Sequence, residues 1–335
     1  MERFGFVGLP NAGKSSLYNA LSGGSALAAP YAFATKDPNI GVAKVIDDRL
    51  DRLAAMSNSK SVVPAAVQFI DIGGLVEGAS RGEGLGNRFL ANIREVDAIV
   101  LVLRAFEDAD VPGPSDPLEH LRILETELAL ADLETVEKQL DRKRKAARSD
   151  RSQAEEAQAL GEAHTVLAEG APIYRSPIDQ STRELLRPWF LLTNKPVLVI
   201  VNVSEDDLAR LDEVVAPVRS EFAGHETEVI GMCVQLEAEA AQLEPDERVE
   251  MLEALGLGEG ALPRFVRSAY HLLGLRTFFT TGEKESRAWT FKAGWKAPQC
   301  AGVIHSDFER GFIDAEVVHY DDLVAAGSKA AAKTA

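Results

Sequence analysis

Cysteine is almost absent: Cys233 and Cys300 are the only two in 335 residues. Two are too few for a disulfide framework and lack metal-ligand spacing, which predicts a reducing compartment and two buried, small apolar side chains. Long apolar runs are missing as well. No stretch approaches the roughly 20 apolar residues of a membrane-spanning helix, and the opening MERFGFVGLP has neither the basic head nor the apolar run of a signal peptide. The expectation is a cytoplasmic protein with no membrane contact. Positive charge is scarce: Lys and Arg number 36 against 52 Asp and Glu, for a net charge of -16. That balance opposes broad attraction to polyanions, so no DNA partner is expected and any RNA contact must rest on a local basic patch.

What is present begins with GLPNAGKSS, Gly8 to Ser16. The spacing Gly8-x-x-x-x-Gly13-Lys14-Ser15 follows an apolar strand, RFGFVGL, and opens a segment with helical spacing at Leu17, Ala20 and Leu21. Glycines let main-chain N–H groups turn inward, and the helix N-terminus adds partial positive charge, so Asn11, Ala12, Gly13, Lys14, Ser15 and Ser16 are candidate phosphate-binding residues. Lys14 is expected to neutralise the β- and γ-phosphates and Ser15 to ligate Mg2+. The Gly-x-Gly-x-x-Gly spacing of a dinucleotide site is absent here.

Two further segments narrow the class. An apolar strand ends in Asp71-Ile72-Gly73-Gly74, the pattern by which Asp71 reaches Mg2+ and the Gly74 N–H senses a γ-phosphate. The glycines that follow, Gly78, Gly82, Gly84 and Gly86, predict a switch segment. Upstream, Thr35 is the candidate that closes over Mg2+. Leu75 occupies the place where many GTPases orient the attacking water with glutamine; an apolar side chain cannot do this, so slow intrinsic hydrolysis is expected.

The base is read further along. KPVLVIVNVSEDD ends a strand at Asn202, with Val203 and Glu205 where guanine-specific switches carry the Lys and Asp of Asn-Lys-x-Asp. Adenine offers no 2-amino donor and presents N1 as an acceptor, so an adenine site must read the 6-amino group with carbonyls. The altered clamp weakens GTP without establishing ATP. Cys233 and Val234, in VIGMCVQLEAE, are placed beside the purine.

GLPNAGKSSLYNAL, YAFATKDPNIGV, DIGGLVEGASRGEGLGNRFLANIREVDAIVLVLRAF, ETELALADLETVEK, NVSEDDL and RTFFTTGEKESRAWTF together resemble the YchF or Obg-like ATPase family over nearly the whole chain. The resemblance implies an α/β P-loop NTPase of the G-domain type (TRAFAC), an inserted α-helical coiled-coil hairpin, and a C-terminal ubiquitin-like α+β TGS domain. It also implies ATP preferred over GTP, ribosome association, and a K+ held beside the phosphates through Asn11. The implied boundaries are 1–127 and 193–276 for the nucleotide-binding domain, 128–192 for the helical insert and 277–335 for the TGS domain. Two departures stand out. Where bacterial relatives often carry a histidine, this chain has Pro112 and Gly113; the nearest histidine, His120, falls in an apparent helix and is given no role. The chain also stops in AAGSKAAAKTA where relatives continue, so the TGS domain is expected to be incomplete. A GTPase, and a nucleotide-gated adaptor whose hydrolysis is incidental, are the alternatives.

Leu124, Leu128, Leu130, Leu133, Val136 and Leu140, then Leu160, Val166 and Leu167, recur at helical spacing and predict a hairpin. Lys138, Arg142, Lys143, Arg144, Lys145, Arg148 and Arg151 cluster on it, a candidate RNA contact in an acidic protein. Beyond residue 277 the pattern predicts a β-rich domain with one helix, with Trp289, Phe291 and Trp295 in its core. His305, Asp307, His319 and Asp321 lack convincing metal spacing.

Overall fold

A computed structural model describes residues 1–23, 40–72, 85–108, 112–150 and 153–334, with the side chains of 85–88 excepted. The strands are β1 (Arg3–Val7), β2 (Ile40–Val45), β3 (Val62–Val63), β4 (Ala65–Asp71), β5 (Ala98–Arg104), β6 (Val197–Asn202), β7 (Val229–Met232), β8 (Leu275–Thr281) and β9 (Ser286–Lys292). Six of them form one sheet in the order β2-β4-β1-β5-β6-β7. The pairs β1 with β4, β1 with β5, β5 with β6 and β6 with β7 are parallel. Parallel strands are buried on both faces, which explains why β5 (AIVLVLR) and β6 (VLVIVN) are almost uninterrupted apolar runs, every residue buried.

The chain divides into two compact units, Met1–Val42 with Gln68–Phe265, and Ala43–Val67 with Val266–Ala335. In the first, one sheet face is closed by an aromatic column: Phe6 lies 5.4 Å from Phe69, and Phe69 lies 5.1 Å from Phe265 between ring centres. On the other face lie helices α3 (Leu85–Arg94), α4 (Pro117–Ala147) and α7 (Leu211–Glu221). Leu121, Leu124 and Leu128 of α4 join Leu101, Leu103 and Val199 in that core.

At 31 residues α4 extends about 46 Å, longer than the sheet it packs on. Its start is marked by Asp116, whose carboxylate accepts from the Leu118 N–H at 2.9 Å, and by Pro117 in the first turn. Its far half, through Val136 and Leu140, pairs with Leu160, Ala163 and Leu167 of α5 (Ala154–Ala168) to build a second small core. The hairpin is therefore present, with Leu130, Leu133 and Val166 only half-buried and Ala129, Ala159 and Ala163 filling the close contacts. Buried Asp132 anchors the chain on its return, accepting from Leu192 N at 2.8 Å, Thr193 N at 2.7 Å and Thr193 Oγ1 at 2.7 Å.

In the second unit, β3, β9 and β8 form a three-stranded sheet, β3 parallel to β9 and β9 antiparallel to β8. Helix α2 (Asp48–Ser57) belongs to this unit, so residues 43–67, counted with the segment 1–127 on sequence, pack with the C-terminal segment. The cause is a hydroxyl cluster: Thr281 Oγ1 lies 2.7 Å from both Ser57 and Ser286 Oγ, and Ser59 Oγ lies 2.8 Å from Ser286 Oγ. After the hairpin come four short helices, Ala297–Gly302, Ser306–Arg310, Tyr320–Ala326 and Lys329–Ala332, where one helix was expected among strands. Trp289 and Phe291 are half-buried and Trp295 is exposed, where a core position was expected for all three; Arg287 lies over the Trp289 ring, 4.9 Å from its centre. Cys233 is buried and Cys300 only partly so.

Candidate nucleotide site

The parallel register brings the site together. Phe6 pairs with Asp71, Val7 with Leu101, Arg104 with Asn202, and Asn202 with Met232. The turn after β1, Asp71, Arg104, Asn202 and Cys233 thus lie at neighbouring carboxyl ends of adjacent strands, the edge where open α/β sheets bind ligands.

The turn itself is conformationally demanding. Asn11 has φ 62° and Gly13 φ 99°, the left-handed region that glycine and asparagine tolerate. A side chain at Gly13 would place its Cβ 2.3 Å from Asn202 Nδ2, and one at Gly8 would place it 2.6 Å from the Val102 carbonyl oxygen. Helix α1 (Lys14–Gly23) starts directly after this turn, with Leu17 N donating to Gly13 O at 2.9 Å. Ser15 and Ser16 lie exposed on its first turn, and Ala12 is buried.

Lys14 is 5 % exposed and donates to the Leu9 carbonyl at 2.8 Å. Burial pulls its ammonium down to about 8, partly opposed by the charge of Asp71. A desolvated cation at the head of a helix, whose hydrogen bond among the described residues goes to a neutral carbonyl, is stabilised when an anion arrives. Beside it Ser15 Oγ donates to Asp71 Oδ2 at 2.7 Å, so the two oxygens expected to hold a metal are already adjacent. A hydroxyl and a carboxylate are hard oxygen donors, the type Mg2+ accepts, and the donor set fits that ion.

Asn202 is buried and bridges two loops. Its Nδ2 donates to Ala12 O at 3.1 Å and its Oδ1 accepts from Val234 N at 3.0 Å. The residue expected at the purine therefore ties the phosphate turn to the start of α8 (Val234–Ala240). Val203 is buried with its N–H on Met232 O at 2.9 Å, and Glu205 is exposed at the start of a short 3-10 helix. Cys233 and Val234 are both buried. Thr35, Gly73, Gly74, Leu75, Gly78, Gly82, Gly84 and Arg151 lie outside the described residues.

One cluster had no counterpart on sequence. Arg104, 2 % exposed, donates through Nε to Phe106 O at 2.9 Å and through a terminal nitrogen to Pro112 O at 3.3 Å. The same Pro112 oxygen accepts a long bond, 3.5 Å, from Asn11 Nδ2. His120 sits in the first turn of α4 with Nδ1 3.5 Å from the Arg104 N–H and Nε2 2.8 Å from Pro114 O. Burial lowers its pKa, and the neutral Nε2–H tautomer satisfies both contacts. The signal for this bracket was a lone arginine closing an apolar strand.

This fold and turn define a P-loop nucleoside triphosphatase of the G-domain type. The family model described as "50S ribosome-binding GTPase" matches residues 3–203, and that for the C-terminal region of YchF GTPases, described as a protein of unknown function (DUF933), matches 275–335. The chain is 48% identical over 337 residues to the ribosome-binding ATPase YchF of Bacillus subtilis, covering 99% of this chain and 92% of that protein. Against the YchF of Escherichia coli O157:H7 the identity is 42% over 339 residues, with the same coverage. A solved Schizosaccharomyces pombe YchF GTPase superposes with a TM-score of 0.89 at 36% identity, covering 99% of this chain and 92% of that one. The chain belongs to the YchF family.

Proposed function

We propose that this protein is an ATPase that binds Mg·ATP in the Gly8–Ser16 turn, hydrolyses it slowly, and acts as a nucleotide-dependent conformational switch on the ribosome. The observation that carries this reading is buried Lys14, its pKa drawn down to about 8, beside the Ser15–Asp71 pair at 2.7 Å. Ribosome binding and ATPase activity are what the names of the bacterial relatives state. In this reading Ser15 and Asp71, with Thr35, hold Mg2+, which when bound neutralises phosphate charge. Lys14 pairs with the phosphates and the Gly74 N–H senses the γ-phosphate. Asn11 is the candidate K+ ligand: its amide nitrogen is turned to Pro112, and its amide oxygen has no hydrogen bond among the described residues. Leu75 supplies no polar group to the attacking water, which favours a slow intrinsic rate.

ATP is favoured because Val203 and Glu205 replace two of the three guanine-reading side chains. The second reading, GTP, has the descriptions of the matched domain and of the fission yeast structure behind it. Competition of ATP and GTP in calorimetry with Mg2+ separates the two. We assign 128–192 to an inserted helical domain, with 1–127 and 193–276 carrying the nucleotide and 277–335 a TGS-type domain. Among the described residues no helix is long and apolar enough to cross a membrane. A cytoplasmic place of work follows from the ribosomal partner. Arg142, Arg144, Lys145 and Arg148 are exposed along α4 and just beyond it, the surface we assign to ribosomal RNA. Lys138 and Lys143 are taken up by Glu134 and Glu156.

A further inference from the structure

Phe190 stands where the chain leaves the helical insert, in the unit that also holds the nucleotide turn. The 3-10 turn Arg187–Trp189 stops there, and Phe190 has φ 50° and ψ 39°. Among the described residues other than glycine, only Asn11 and Asn58 also have a positive φ. Asparagine tolerates that left-handed conformation; a bulky side chain in it is an outlier that persists only where its surroundings impose it.

They do so here. The Phe190 N–H donates to Arg187 O at 3.1 Å, and its carbonyl accepts from Arg94 Nη1 at 3.1 Å. The other terminal nitrogen of Arg94 reaches Thr135 Oγ1 of α4 at 3.1 Å. On either side the chain is fixed inward, with Leu186, Leu191 and Leu192 buried and Leu192 N held by Asp132. The Phe190 ring is left outside, 62% exposed. A single exposed apolar side chain is ordinary. One that is both exposed and strained serves neither packing nor the turn, where asparagine or glycine would fit better.

The surroundings select the occupant. Trp189, next in the chain, is half-buried with the Lys143 ammonium 5.4 Å from its ring centre. Thr135 and Arg142 are seven residues apart on α4, hence on one face and about 10 Å apart along it. Arg142 is exposed, as are Arg144, Lys145 and Arg148 beyond it. Glu134 and Glu184, adjoining this corner, are neutralised by Lys138 and Arg187. An exposed ring beside cations suits single-stranded nucleic acid, whose phosphates go to the cations while a base lies on the ring. We propose that Phe190 is a stacking platform for an unpaired base of ribosomal RNA, whose sugar-phosphate chain runs along α4 toward Arg142. The proposal rests on the ribosomal reading of α4 and names the chemistry of one contact within it.

The test titrates the full-length chain into an end-labelled uridine decamer, read by fluorescence anisotropy over a range of salt, with ribosome cosedimentation alongside. Phe190→Asn supplies a residue suited to the left-handed turn and removes the ring. It should weaken RNA binding about tenfold. The salt dependence should stay that of the wild type, since stacking releases no counterions, and urea stability should hold or rise. Phe190→Trp should keep the affinity. Charge removal at Arg142, Arg144 and Lys145 should instead flatten the salt dependence. RNA binding indifferent to Phe190→Asn overturns the proposal and leaves the RNA assignment of α4 standing; no RNA binding by the wild type overturns both. Ribosome cosedimentation weakened by Phe190→Asn in a protein that binds no RNA would replace the base with a ribosomal protein as the occupant. A fall in urea stability in Phe190→Asn would make the ring a packing element and overturn the proposal as well.

Discussion

Lys14 carries the central electrostatic argument at the scale of single residues. Its lowered pKa means that the free protein loses the ammonium charge as pH rises through about 8, whereas a bound triphosphate requires that charge. ATP affinity should therefore fall above about pH 8, by up to tenfold per pH unit, with uptake of a proton on binding. Calorimetry in two buffers of different ionisation enthalpy measures that uptake; affinity that stays flat to pH 9.5 would contradict it. Asp132 makes a second pH argument. Burial raises its carboxyl from 3.8 to about 6 against three hydrogen bonds that pull the other way. A raised folded-state value means that the folded chain holds a proton the unfolded chain has released, so this group's contribution to stability falls as pH rises from about 4 to 6. The loss is on the order of 3 kcal/mol. Urea unfolding of the wild type and Asp132→Asn at several pH values reads it as the difference in slope. Parallel pH dependences would refute the assignment.

Between elements, Asn202 is the joint. Truncation in Asn202→Ala leaves Ala12 O and the Val234 N–H without their partners, at a cost of about 1 to 3 kcal/mol. The phosphate turn should loosen, with ATP affinity falling about tenfold or more, and hydrogen exchange should rise in 8–13 and 232–235. Unchanged exchange would show the bridge to be dispensable. Much at this scale was legible in the chain: the turn before α1, Asp71 at a strand end, and the hairpin of α4 and α5 are local patterns with their own period or spacing. Other features depend on contacts between distant residues. Arg104 and His120 meet across 16 positions to hold the Phe106, Pro112 and Pro114 carbonyls, and neither belongs to a repeating pattern. The helices Ala297–Gly302 and Ser306–Arg310 are too short for a 3.6-residue period to register, which is why strands were expected there. The purine contact was placed on Asn202 by analogy of position; its amide is largely committed to main-chain groups.

For the whole molecule, in a chain of net charge -16, the exposed cations of α4 form the surface we assign to ribosomal RNA. Charge removal at Arg142, Arg144 and Lys145 should reduce ribosome cosedimentation and lower its salt dependence by up to about three phosphate contacts, with ATP binding intact. Unchanged sedimentation would exclude this surface. In the proposed function an adenine nucleotide is held between the turn after β1 and the carboxyl ends of β4 and β6. The most direct measurement is isothermal titration of the purified protein with ATP and with GTP in magnesium buffer, with Lys14→Ala alongside. ATP is expected to bind more tightly than GTP and to lose its tight binding in the variant. Tighter binding of GTP, heat from neither nucleotide, or a Lys14→Ala protein that binds ATP as the wild type does would contradict the account.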